Sequence, residues 1–405
     1  MQKEDKVGKI NIEEMKVPSV SNNCALAILV IGTLLICLIM ILNVFIDTPL
    51  FLEGINFIYK YQNAQPYGII QKIQNFFSLL CNPMGVGAVL VIYYIIVNRK
   101  LMLIVHLSFF LFTTYIIALL KQAFQQSRPI WYDDRIKNWE WFCPKDFGNP
   151  SGHSFAVILL YEPIISDAIG YWNYRPWGYV LVLLVIMIPL SRMYLGVHSL
   201  NQILFGLSMG TVFLVMFKYI YQKALYELYW EFLLRKARKV KLFGIFILNL
   251  IVIGIPIAFF YINTKERPML DKDINNLNKQ CGTNMTGYEV QAHMLTACAI
   301  GCFAFGLVYG FVLLMNQPGY RKYLLGLWGY ESPIKVVLKI GIYLISAGIP
   351  FLFFYIIAYF ATKGSYYWTY ILYCFAMTGA GIGLSYLAPF ITSKCNIMKL
   401  LPGSA

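Results

Sequence analysis

The chain has 405 residues, 59% of them hydrophobic and 13% charged, with a mean hydropathy of +0.62 and a formal net charge of +14. Soluble domains carry about 25% charged residues, so this composition excludes a soluble globular protein and defines a membrane one. No basic stretch interleaved with aromatics is present, which excludes nucleic acid as a partner; the positive balance fits Lys and Arg gathered in loops beside anionic lipid.

A transmembrane helix needs roughly 20 mostly apolar residues. A polar N-terminal tail, 1–23, leads into a first span, Cys24–Ile46. No small-residue cleavage site follows that span, so it reads as a retained anchor. Leu50–Leu80 mixes apolar residues with Glu53, Lys60, Gln62, Gln71, Lys72 and Gln74, a pattern expected of helices lying at the interface. The second span is expected at Met84–Val97 and the third at Leu101–Leu120, joined by the tight turn Asn98-Arg99-Lys100. A polar loop, Lys121–Pro150, precedes a fourth span starting at His153; the fifth covers Trp177–Leu190 and the sixth Leu200 to about Ile220. A basic connector, 221–241, contains Arg235, Lys236, Arg238 and Lys239. The C-terminal block, 242–392, holds spans at Leu242–Ile262, Ala292–Met315, Val336–Phe360 and Tyr366–Thr392, followed by a tail, 393–405. About ten spans are expected, all helical, because lipid-exposed backbone must satisfy its own hydrogen bonds.

Basic residues set the orientation. With the N-terminus in the cytosol, the cytosolic loops hold Lys3, Lys6, Lys9, Lys16, Arg99, Lys100, the Lys223–Lys241 cluster, Arg321, Lys322, Lys394 and Lys399. The opposite loops are offset by acidic residues, among them Asp133, Asp134, Glu140, Asp146, Glu266, Asp271 and Asp273. Asn284-Met285-Thr286 is a glycosylation sequon on that opposite side. Cys24, Cys37, Cys298, Cys302 and Cys374 lie in apolar spans as small hydrophobes, and no CxxC pair suggests zinc. Cys143 and Cys281 share the non-cytosolic side; a disulfide between them is open, with separate thiols the better reading.

Three segments concentrate chemistry in a chain otherwise poor in it. Lys121 and Arg128 flank the end of the third span; a spacing of seven brings them to one helix face, and Pro129 stops the helix beyond them. Arg offers a planar fork for phosphate oxygens and Lys a point charge; alone, the pair is better explained as snorkelling interface anchors. Pro150-Ser151-Gly152-His153 opens the fourth span. Ser151 reads as an N-cap, Gly152 permits close backbone approach, and the helix N-terminus suits an anion. The plain alternative is a helix cap with a surface His. Ser191-Arg192 and His198 lie between the fifth and sixth spans, where Arg192 completes a three-cation clamp and a neutral His198 is a candidate nucleophile. Of the remaining two histidines, His106 and His293 read as polar links between helices.

Together these segments resemble the three signature motifs of the type-2 phosphatidic acid phosphatase family, which is similar to bacterial class A acid phosphatases and vanadium haloperoxidases. The resemblance covers the core, 24–220, and implies a six-helix membrane core; the expected fold is an all-α, polytopic membrane protein in which about four further C-terminal helices lie outside the resemblance. It implies that Lys121, Arg128 and Arg192 hold the phosphoryl oxygens with help from Ser151 and Gly152, that His198 is the nucleophile, and that His153 protonates the leaving group. No metal or other cofactor is implied. One position departs: the family usually carries Asp four residues after the nucleophile, and here stands Gln202. Gln at that place and the added C-terminal spans resemble glucose-6-phosphatase-like members, whereas Met193–Ser199 is similar to sphingoid-base phosphate phosphatases. The expectation is a metal-independent phosphomonoesterase acting on a lipid phosphate, phosphatidate or a sphingoid-base phosphate, at the lumenal or extracellular face of its membrane: the endoplasmic reticulum or another endomembrane, with the plasma membrane as the alternative. A sugar phosphatase and a non-catalytic lipid binder or transporter on the same fold are the alternatives. The oligomeric state is left open.

Overall fold

The computed structural model describes residues 21–64, 68–81, 100–166, 175–233, 239–315, 333–361 and 365–394. The expected second span at Met84–Val97 lies outside them, as do residues 1–20, Arg235, Lys236, Arg238, Arg321, Lys322 and the tail from 395. The described residues contain helices and no strand.

The first apolar run forms α1, Asn22–Ala64, a helix of 43 residues. Its first half leaves Leu34 and Phe45 62% and 77% exposed along with most neighbouring apolar side chains, an arrangement suited to lipid and not to water. Its second half behaves differently. Phe51, Ile55 and Ile58 are buried in a cluster with Trp131, Ile136, Trp139 and Met193. Residues 50–64 are therefore a continuation of the first helix packed into the protein, not a separate interfacial helix. The remainder of that region is α2, Ile69–Leu79. It is amphipathic in an inverted sense: Gln71, Asn75 and Ser78 are buried, while Ile69, Ile70, Ile73 and Phe76 are exposed.

The core motifs fall on α3 (Lys100–Phe124), the short α4 (Pro129–Tyr132), α5 (Gly152–Ser166), α6 (Arg175–Tyr194) and α7 (Leu200–Met216), which continues through a π turn into α8 (Gln222–Leu233). Beyond them come α9 (Lys239–Glu266), α10 (Asp271–Cys281), α11 (Gly287–Ala297), α12 (Ile300–Met315), α13 (Pro333–Ala361) and α14 (Tyr366–Ile382), which a second π turn joins to α15 (Ala388–Lys394). Among the described residues, six stretches are long and apolar enough to cross a membrane: 23–45, 104–132, 200–232, 240–266, 287–315 and 366–391. The fourth, fifth and ninth expected spans are present as α5, α6 and α13; of these, α6 and α13 carry shorter apolar runs at Gly178–Tyr194 and Gly341–Phe353.

Packing brings the motif helices together. α7 lies against α1 and α5, and α5 also lies against α6. Gly206 and Gly210, one helical turn apart on α7, permit this close approach: a Cβ on Gly206 would stand 2.5 Å from the Ser151 carbonyl oxygen. The C-terminal helices are not a separate body. Tyr115 of α3 shares a buried cluster with Val252, Cys298, Cys302, Tyr370 and Cys374. As a result the C-terminal ends of α3, α6 and α9 and the N-terminal ends of α5, α7 and α11 gather at one end of the bundle. There the loop carrying Cys143 meets the end of α10, and Cys143 and Cys281 form a disulfide with Cα atoms 5.6 Å apart. Separate thiols were the better reading of the sequence; long-range packing of α10 on α4 brings the two together.

Candidate active site

The clamp is assembled by loop geometry and not by one helix face. α3 ends at Phe124, and Gln125 adopts φ 51°, the left-handed region that few side chains enter. The chain turns there, so Arg128 leaves the helix axis and precedes Pro129 at the first position of α4. Pro129 thus starts a helix, where its missing N–H costs nothing, and does not stop one as the spacing suggested. Lys121 and Arg128 nevertheless meet on a shared partner. The Asp146 carboxylate pairs with Lys121 Nζ through Oδ2 and with Arg128 Nη2 through Oδ1 at 2.5 Å, and the Asp146 carbonyl accepts from Arg128 Nε at 2.6 Å. Arg192 is paired elsewhere. Its guanidinium donates to both oxygens of Glu140, and its Nη1 also donates to Ser78 Oγ of α2. Arg128 and Arg192 are each 2% exposed and Lys121 is 7% exposed, so these are buried charges, tolerable only with counter-charges in place.

Arg192 and His198 are positioned by the end of α6. Gly196 adopts φ 80°, its N–H bonds the Met193 carbonyl, and the Val197 N–H bonds the Arg192 carbonyl. This pair of bonds is the Schellman helix ending, in which the left-handed residue is usually glycine. It folds the chain back so that His198, buried beneath the clamp, contacts Arg128 Nη1 through Nε2 at 3.0 Å.

The His198 tautomer follows from backbone groups. Gln202 Nε2 donates to the Ser127 carbonyl at 2.9 Å, while Gln202 Oε1 accepts from the Ser199 backbone N–H at 3.2 Å. The amide can face only one way, so Oε1 accepts from His198 Nδ1, also at 3.2 Å. Nε2 then carries the lone pair, as its contact with an obligate donor, the Arg128 guanidinium, also requires. Burial, followed by the fields of Arg128, Arg192 and Lys121, holds His198 well below the usual imidazole range, so the ring is neutral at pH 7. Gly148 makes room for the Gln202 amide: a Cβ there would lie 2.5 Å from it.

Ser151 caps α5 by accepting from the Ser154 backbone N–H at 3.4 Å, and its own N–H bonds the Gln202 carbonyl at 3.0 Å. A Cβ on Gly152 would meet nothing within 4 Å. The helix N-terminus therefore has open space beside its first residue, where backbone N–H groups favour an anion. His153 is half-buried, and its Nε2 is buried with no hydrogen-bond partner among the described residues. It lies within the electrostatic reach of Arg192, Lys121, Arg128 and Asp146. An orphaned buried nitrogen facing three cations fits a ligand oxygen. The structure thus brings Lys121, Arg128, Ser151, Gly152, His153, Arg192, His198 and Gln202 together at one end of the bundle, linked by hydrogen bonds and by the electrostatic reach of the three cations. Asn284 is exposed in the loop between α10 and α11. His293, read as a link between helices, is instead exposed on α11.

Reading the sequence missed the carboxylates. Glu140, Asp146 and Asp273 count there only as loop charge. In the structure Asp273 is buried and accepts from Ser127 Oγ, beside Arg128. Burial raises its carboxyl, and the Ser127 bond opposes that. Asp273 belongs to a brace. Asn276 Nδ2 donates to the Trp131 carbonyl at 2.8 Å, Gln280 Nε2 donates to the Ile136 carbonyl at 2.9 Å, and Arg267 Nη1 donates to the Ala123 carbonyl at 2.8 Å. A density of Asn, Gln and Asp in a helix between two apolar spans is the one sequence signal for it.

A helical membrane bundle with buried cations and two imidazoles converging at one end is an arrangement suited to an anion. Residues 102–226, from α3 into the first turn of α8, match the PAP2 superfamily, a membrane phosphatase fold. No curated protein and no solved structure gives a match.

If Gly152 is a seat for phosphate, Gly152→Ala leaves the melting temperature unchanged or higher, since alanine favours the helix and meets no atom. The same substitution lowers kcat/KM about tenfold or more. Unchanged kinetics would identify the segment as a helix cap alone.

Proposed function

We propose that this protein is an integral-membrane, metal-independent phosphomonoesterase that removes phosphate from a lipid phosphate through a phosphohistidine on His198. The observation that carries this reading is the neutral His198 whose Nε2 lone pair points to Arg128, inside a pocket that also holds Lys121 and Arg192. Phosphoryl transfer demands positioning and stabilisation of charge on the equatorial oxygens more than covalent work by the protein. In the first step Nε2 attacks phosphorus, the ester P–O bond breaks, and His153 gives its proton to the departing alkoxide. In the second, His153 takes a proton from water, the hydroxide adds to phosphorus, and the P–N bond breaks to release inorganic phosphate and free His198. Gln202 keeps the imidazole in the attacking tautomer without supplying the charge of an aspartate.

Two surfaces support a lipid substrate. The exposed apolar face of α2 adjoins exposed Trp141 and Phe142, because Asn75 bonds both the Trp139 carbonyl and the Trp141 N–H; aromatic and aliphatic side chains of this kind suit the membrane interface. A cavity of about 210 Å³ between α1 and α7, lined by Ile39, Leu42, Leu204 and Phe205, reaches Asn43, which accepts from Asn149 beside the Pro150 turn. Gln202 is the observation favouring a sugar phosphate instead. A lumenal or extracellular site is supported by the Cys143–Cys281 disulfide, which persists in oxidising compartments, and by exposed Asn284 at the same end of the bundle.

Phosphate release from purified protein is measured with phosphatidate, a sphingoid-base phosphate and glucose 6-phosphate, with EDTA and orthovanadate as controls. A lipid substrate is expected to turn over fastest, vanadate to inhibit, and His198→Ala to lose at least about 1000-fold in kcat. His198→Ala with near wild-type activity would remove the nucleophile assignment.

Because His198 is neutral far below pH 6.5, the acid limb of kcat/KM should follow the second ionisation of the substrate phosphate, near 6. Across monoesters of differing phosphate pKa, the limb should move with the substrate. A limb fixed for all substrates contradicts this. Orientation is tested by endoglycosidase treatment of protein from a eukaryotic host: a mobility shift abolished by Asn284→Gln is expected, and a cytosolic site predicts none.

A further inference from the structure

We infer that Asp146 is a resident competitor for the phosphate seat, holding Lys121 and Arg128 until a phosphate dianion displaces its carboxylate and reclaiming them as inorganic phosphate departs. The inference rests on the phosphatase reading of the pocket. Asp146 offers two oxygens to the same two cations that would grip two phosphoryl oxygens. Three positive side chains face two carboxylates there, leaving a single positive charge. A dianion added beside both carboxylates would cancel that charge and more, and it needs the same cation faces that the carboxylates occupy, so displacing one carboxylate is favoured.

Geometry identifies which one. Glu140 is 8% exposed, bidentate on Arg192, and fastened by Ser78 Oγ at 2.9 Å, with α2 bonded to the backbone on either side of it. Asp146 is 29% exposed, and among the described residues its side chain bonds only the two cations. Its backbone stays fixed regardless, since its carbonyl holds Arg128 Nε and its neighbour Phe147 is buried. The carboxylate can therefore swing while the loop stays in place. Outside the clamp, exposed His293 of α11 lies within electrostatic reach of Asp146, Lys145 and Lys121. Displacement has a second effect. Arg128 Nη1 covers the Nε2 lone pair of His198; a phosphate that draws the guanidinium onto its oxygens uncovers the nucleophile. In the reverse direction, the carboxylate lowers the retention of a product that three cations would otherwise hold.

A ligand that must expel an internal competitor has its apparent affinity reduced by the fraction of sites left open. Asp146→Asn removes the charge with little change in shape. Direct binding of orthovanadate and of inorganic phosphate to the full chain in detergent, by calorimetry and by thermal shift, is expected to tighten at least about tenfold. KM should fall with it, and kcat should fall where product release limits turnover. Asp133→Asn, a carboxylate of the same loop paired with exposed Arg135, should leave vanadate affinity at the wild-type value. If Asp146→Asn does not fold, Asp146→Ser carries the same expectation. A folded variant that binds vanadate no more tightly than wild type assigns Asp146 to orienting the cations and overturns the competitor role. Because binding is read directly, a wild-type protein that binds vanadate but hydrolyses no monoester would count against the phosphatase reading alone.

Discussion

Holding Lys121, Arg128 and Arg192 together away from water is the constraint around which this end of the bundle is built. Each buried cation has a large desolvation cost, and the three repel one another in a medium of low effective dielectric. The protein answers with Asp146 and Glu140, both from the loop between α4 and α5, and with backbone carbonyls of Asp146 and Val197 on Arg128. Burial alone would raise the Asp146 carboxyl; Arg128 and Lys121 outweigh it and hold it well below the usual carboxylate range. Burial, reinforced by the same concentration of positive charge, keeps His198 neutral. One electrostatic arrangement thus suits an anion and leaves the imidazole beside it unprotonated.

The helices supply precision at the points where they end. The Schellman turn at Gly196 sets Arg192 and His198 from opposite sides of one loop, and the close approach allowed by Gly206 and Gly210 sets the α5 N-terminus against α7. Sites built on helix termini inherit both the unpaired backbone groups and the rigidity of the helices behind them. Gln202 links these pieces. It touches His198 and Ser199 through its oxygen, Ser127 through its nitrogen, and Ser151 through its carbonyl.

The motif residues were legible in the sequence because their types and spacings are rare together and because a charge-poor chain makes buried cations conspicuous. All eight candidate pocket residues converge. What escaped was whatever depends on partners distant in sequence. Lys121 and Arg128 meet through Asp146 and a left-handed Gln125, not through helical periodicity. Residues 50–64 looked interfacial by composition, but Phe51, Ile55 and Ile58 are buried in a cluster with Trp131 and Trp139, which no local pattern reveals. Charge counting treated Glu140, Asp146 and Asp273 as solvated loop residues, since a single sequence does not say which acid faces a cation. α10 follows the same logic: its polar residues read as an extramembrane loop until their carbonyl partners on the 123–136 segment are seen.

That brace lies outside the PAP2 superfamily match, which stops at residue 226. Asp273, Asn276, Gln280 and Cys281 all bond to residues between Ser127 and Cys143. During synthesis, then, the matched residues are complete before the segment that splints the 127–143 loop has been made. The loop acquires these fastenings only once residue 281 has been added and α10 packs against α4.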